Sequence, residues 1–89
     1  MPDDRESRLE FPCAFPIKAM GRAEADFEGL VVGLLRRHAP DLDETLIRVR
    51  ASRGGRWLSV TVTIEASSRD QLDAIYRDLS AHERVVWAM

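Results

Sequence analysis

The 89 residues predict an α+β domain of the ferredoxin-like βαββαβ type, and three observations carry that prediction. Hydrophobic spacing alternates between a period of two and one of three to four, in the order strand, helix, strand, strand, helix, strand. The two central strands are apolar on one side only, as in a sheet covered by helices on a single face. The length suits one domain, with 45% hydrophobic and 31% charged residues. Right-handed crossovers then give a four-stranded antiparallel sheet of order 4-1-3-2, with both helices on one face and the second and fourth strands at the edges.

Met1 to Arg8 mix acids and bases and contain no apolar core, so residues 1–8 read as a disordered arm and not as a signal peptide. The ordered domain is expected over 9–89. Ala14 to Met20 is the first strand, with Phe15, Ile17 and Ala19 alternating against Lys18 and Met20. Pro12 and Pro16 lack the N–H that a ladder needs, which assigns them to the start of the strand or to an unpaired margin. Gly21 closes the strand and lets the chain turn.

From Glu24 to His38 the period is helical: Phe27, Leu30, Val31, Leu34, Leu35 and His38 form one stripe. Acids open this helix, Arg36, Arg37 and His38 close it, and Ala39-Pro40 stops it. Gly29 and Gly33 each cost about 1 kcal/mol against alanine. That cost predicts a backbone packed closely against them, from the second helix or from another subunit.

Thr45–Arg53 and Arg56–Ala66 form a hairpin around Gly54-Gly55, a dipeptide suited to positive φ. Leu58, Val60, Val62 and Ile64 share the apolar side with Ile47, Val49 and Ala51. Ser68-Arg69-Asp70-Gln71 fits a capping box, and Leu72, Ile75, Tyr76 and Leu79 continue a second helix. His82-Glu83 turns the chain into a final strand, Arg84 to Met89.

Little in the sequence suggests chemistry. The two histidines, His38 and His82, sit at helix C-termini, where an imidazolium complements the dipole. Neither belongs to a Ser/His/Asp or Cys/His set, and no paired metal spacing or phosphate loop occurs. Cys13 is the only cysteine, which excludes an intrachain disulfide and a cysteine-based zinc site and favours a reducing, cytoplasmic location. The acidic run at Asp41, Asp43 and Glu44 lacks the ligand ladder of a calcium loop. No catalytic residue, metal or cofactor is therefore expected.

Net charge is −2, and all but Lys18 of the 13 basic residues are arginine. That total argues against bulk binding to nucleic acid and leaves room for a local patch. The candidate patch is the uncovered sheet face, with Trp57, Ser59, Thr61 and Thr63 beside Arg48, Arg50 and Lys18. RNA-recognition domains stack bases on such faces. Here Leu58 and Val60 fill two of the aromatic positions of their third-strand motif.

Leu9-Glu10-Phe11-Pro12, Phe15-Pro16-Ile17-Lys18-Ala19-Met20-Gly21, His38-Ala39-Pro40, Ser59-Val60-Thr61-Val62 and the Gln71 to Leu79 pattern resemble the YbeD-like family of small bacterial proteins. The resemblance spans residues 9–89. It implies a fold similar to the ACT regulatory domain, a largely unassigned function and, for some members, a regulatory link to lipoate metabolism. ACT domains bind amino acids beside a glycine-containing turn after the first strand, the position of Gly21. The aspartate and proline-glycine surroundings of that site are missing from Met20-Gly21-Arg22-Ala23.

The expected function is a non-catalytic regulatory or protein-interaction module with a protein partner or a second copy of itself, away from membranes. A small-ligand sensor at Gly21 and an RNA-binding face are the alternatives. The candidate surface residues are Lys18, Gly21, Arg48, Arg50 and Trp57.

Overall fold

The computed structural model describes residues 9–89, and the arm expected over 1–8 lies outside them. Strand β1 spans Cys13–Arg22, helix α1 Phe27–Arg36, β2 Ile47–Ala51, β3 Trp57–Ala66, α2 Arg69–Ala81 and β4 Trp87–Ala88. A single 3-10 turn, Glu44–Leu46, leads into β2. The sheet order is β2-β3-β1-β4, the expected 4-1-3-2 order read from the other side, and every pairing is antiparallel.

The core lies between the sheet and the two helices. Ile17, Val60 and Val62 from the strands meet Phe27, Val31, Leu35, Ile75 and Leu79 from the helices, all nearly inaccessible to solvent. Each such side chain contributes about 1.5–3 kcal/mol on burial.

Strand β1 is longer than its alternation suggests because ten-residue β3 pairs with all of it, from Cys13↔Ala66 to Arg22↔Trp57. Gly21 is therefore inside the strand and does not form a turn. Lys18 exchanges backbone hydrogen bonds with Met89, so by alternation Pro16 also directs its ring nitrogen toward the β4 side. Short β4 pairs only with Ala19 and Met20, and Pro16 lies past its end, at an unpaired margin.

Helix α1 begins three residues later than its stripe implies and ends two earlier. Asp26 at its N-cap makes no side-chain cap bond. Its carboxylate instead accepts two hydrogen bonds from Arg84, at 2.7 and 3.0 Å. No neighbouring atom lies within 4 Å of a Cβ built on Gly29 or Gly33, so neither serves packing between the two helices.

The hairpin differs too. The strands separate at Ala51 and Trp57, leaving the five-residue loop 52–56, in which the Gly55 N–H donates to the Ser52 carbonyl. Only Gly55 has positive φ, at 73°. At the start of α2, Ser68 Oγ accepts the Gln71 N–H as a capping box requires. The return bond is shifted by one residue: Gln71 Oε1 accepts the N–H of Ser67, and its amide donates to the carbonyl of His38, just past the end of α1, at 2.7 Å. The final strand contracts to Trp87–Ala88, flanked by bonds from Val86 and Met89 to β1.

Both histidines stand at or just past a helix C-terminus, and each also makes a specific hydrogen bond. His38 Nε2 lies 2.6 Å from the Asp78 carboxylate of α2, tying the helix ends together. His82 Nδ1 accepts the Arg84 N–H.

Candidate functional site: the open sheet face

Residues paired across strands share a face, so the register assembles the uncovered side of the sheet row by row. One row runs Arg48, Thr61, Lys18, with Met89 bonded beyond Lys18. The next runs Arg50, Ser59, Met20, Trp87. The third pairs Trp57 with Arg22. The surface therefore carries four cations around two indoles. Glu65, at the far end of β3, is the one carboxylate on this face among the described strand residues.

The indoles and cations are already coupled. The Arg22 guanidinium lies 5.8 Å from the Trp57 ring centre, and the Lys18 ammonium 5.9 Å from that of Trp87, within cation–π range. Arg48 donates to the Thr45 carbonyl at 3.3 Å. Among the described residues no carboxylate pairs with Lys18, Arg22, Arg48 or Arg50. Two arginines elsewhere are ion-paired: Arg36 holds Glu44, and Arg84 holds Glu24 and Asp26. A shallow depression of about 500 Å³ opens among Lys18, Met20, Arg50, Arg53, Trp57 and Ser59. This arrangement can hold an anionic surface by charge and by indole contact.

Four of the five sequence-predicted residues, Lys18, Arg48, Arg50 and Trp57, come together here; Trp57 is half-buried. Gly21 does not join them. It is buried, and a Cβ placed on it would lie 2.3 Å from Phe27 Cε1 and 2.5 Å from the Arg84 carbonyl oxygen. Its hydrogen side chain makes room for the Phe27 ring. Sequence reasoning did not find Arg22 or Trp87. The alternation Lys18, Met20, Arg22 points to the first once β1 is known to continue, whereas the second needs the β4 register.

Elsewhere the chemistry is spare. Among the described residues no group of three or more His, Cys, Asp or Glu could hold a metal. The His38 hydrogen bond holds the Asp78 carboxyl below the usual carboxylate range. The surface on the Asp78 side of this pair is lined by Leu34, Arg37, Ala81 and His82, and a depression of about 420 Å³ on the His38 side includes Asp41, Asp43, Thr63 and Ser67. Cys13 is half-buried against the core. Among the described residues no helix is long and apolar enough to cross a membrane.

Comparison with known proteins agrees with the fold and names no activity. The solution structure of protein HP0495 from H. pylori is similar with a TM-score of 0.71 at 18% identity, covering 100% of this chain and 94% of that one. UPF0250 protein NE1487 of Nitrosomonas europaea is 48% identical over 90% of this chain and 92% of its own length. UPF0250 protein PA3998 of Pseudomonas aeruginosa is 51% identical over 94% and 91% respectively. The profile of DUF493, described as a protein of unknown function, matches residues 6–89, and the chain belongs to that family of small bacterial proteins.

Proposed function

We propose that this protein is a non-catalytic, cytoplasmic interaction module that recognises an anionic surface of a protein partner through the open face of its sheet. The observation behind this reading is the set of four cations, Lys18, Arg22, Arg48 and Arg50, that share one face with two indoles and have no carboxylate partners among the described residues. Unpaired cations on a shared face attract a complementary anionic surface and set orientation and association rate. Tryptophan and arginine are also the side chains that most often dominate protein contacts.

A second copy of the chain does not fit face to face, because cation would meet cation. Nucleic acid is less favoured than protein. Each indole already carries one of the chain's own cations over its ring, the position a stacked base would take, and net charge is −2. A regulatory role, including the lipoate link that the YbeD-like resemblance implies, would be exercised through such a contact.

The test is paired affinity capture from a native bacterial lysate with the wild-type chain and with Lys18→Glu/Arg50→Glu. A discrete protein recovered by the wild type, lost on charge reversal and released by moderate salt is the expected result. Recovery of the same proteins by both chains overturns the reading.

A further inference from the structure

The rim of the sheet at β2 carries a second, more specific pattern. Ser52 donates its N–H to the Trp57 carbonyl. Alternation along the ladder then directs the backbone groups of Arg48 and Arg50 inward to β3, and those of Val49 and Ala51 outward. No described residue pairs with that outer edge, since β2 is terminal in the sheet. The side chains divide in the complementary sense. Arg48 and Arg50 lie on the open face, while Val49, opposite Val60, lies on the helix-covered face and is 43% exposed. An exposed valine whose N–H and carbonyl are unpaired among the described residues, between two arginines that have no carboxylate partner among them, is a half-built strand pair.

Resting on the open-face reading above, we infer that β2 takes an additional strand from the partner: an extended protein segment in which acidic residues alternate with apolar ones. Its backbone pairs with Val49 and Ala51. Its acidic side chains meet Arg48 and Arg50 on the open face, and the intervening apolar side chain covers Val49. Strand addition draws affinity from main-chain hydrogen bonds and specificity from alternate side chains. The period of two ties both requirements to one register, because a slip by one residue would bring apolar groups against the arginines. Arginines on an edge also discourage pairing with other copies of the same basic strand.

The test uses two fluorescein-labelled eight-residue peptides of identical composition, one alternating valine and glutamate and one with four valines followed by four glutamates. Anisotropy titrations of the full chain are expected to show saturable binding of the alternating peptide, at least tenfold tighter than the blocked one. Arg48→Glu/Arg50→Glu should weaken it by about tenfold or more, from two opposite-charge pairs turned into like-charge pairs. Val49→Pro removes an outward N–H and should weaken it comparably, with folding of each variant checked by circular dichroism. Amide NMR should show the largest peptide-induced changes at Val49 and Ala51.

Equal affinity for the two peptides, or indifference to both variants, overturns the inference. Preferential binding of a single-stranded RNA octamer in place of the alternating peptide also overturns it. Loss of the captured partner on Lys18→Glu/Arg50→Glu without alternating-peptide binding would leave the open-face reading standing and dismiss the β2 strand alone.

Discussion

At the scale of single residues, the strongest constraint is the missing side chain of Gly21. Phe27 and the Arg84 carbonyl occupy the space a methyl group would need, and Phe27 is fully buried. A backbone carbonyl cannot swing aside as a flexible side chain can. Gly21→Ala is expected to destabilise the fold by about 3 kcal/mol, the upper range for overpacking. Urea unfolding checks this, and a change below about 0.5 kcal/mol would contradict the packing described. A second residue-scale prediction concerns acid. The Asp78 carboxyl is depressed by its hydrogen bond from His38, and that of Asp26 by its hydrogen bonds from Arg84. A depressed folded value means stability that is present above the unfolded value of about 3.9 and lost as pH falls through the folded one. The urea midpoint should therefore drop below about pH 4, and Asp78→Asn should narrow that drop. An unchanged acid profile in the variant would show that the pair contributes nothing.

At the scale of elements, the sequence stripe located α1, but the second helix does not pack against its glycines as one of the two expectations had it. Gly29 and Gly33 face open space in the middle of an exposed helical surface. With no close approach to relieve, Gly29→Ala and Gly33→Ala should each stabilise the chain by about 0.5–1 kcal/mol. A double variant that melts lower, or that changes mass by light scattering, would instead assign these glycines to a subunit contact. For α2 the cap is local: Ser68 Oγ satisfies the Gln71 N–H, and Ser68→Ala should cost about 1 kcal/mol in thermal or urea unfolding. The hairpin illustrates where local rules stop. Gly54-Gly55 signals a turn correctly, but strand ends are fixed by pairing, and the loop settles at five residues because Ser52 holds Trp57 through both its N–H and its hydroxyl.

At the scale of the whole molecule, one core joins all the main elements. Side chains of β1, β3, α1 and α2 meet in a single buried cluster, so neither helix buries its apolar stripe independently of the rest. Unfolding should be a single cooperative transition, with tryptophan fluorescence and far-ultraviolet circular dichroism coinciding in urea. Separate midpoints would indicate that the edge strands or α2 open on their own. The same architecture explains the distribution of charge. Helices cover one face, and Lys18, Arg22, Arg48 and Arg50 are gathered on the other.

The order of elements, the identity of the core and most of the open face are legible in the chain alone, because each depends on local period: two for strands, three to four for helices. Lys18, Arg48, Arg50 and Trp57 were legible for that reason, since alternation alone assigns them to the polar side. Whatever depends on register and on contacts distant in sequence emerges only from the packed fold. Trp87 joins the face because β4 pairs with Met20, Gly21 leaves it because Phe27 fills its space, and Arg84 reaches back 58 residues to Asp26. Such contacts leave no periodic trace in a chain, because the partners are chosen by how the elements stack and not by their neighbours in sequence.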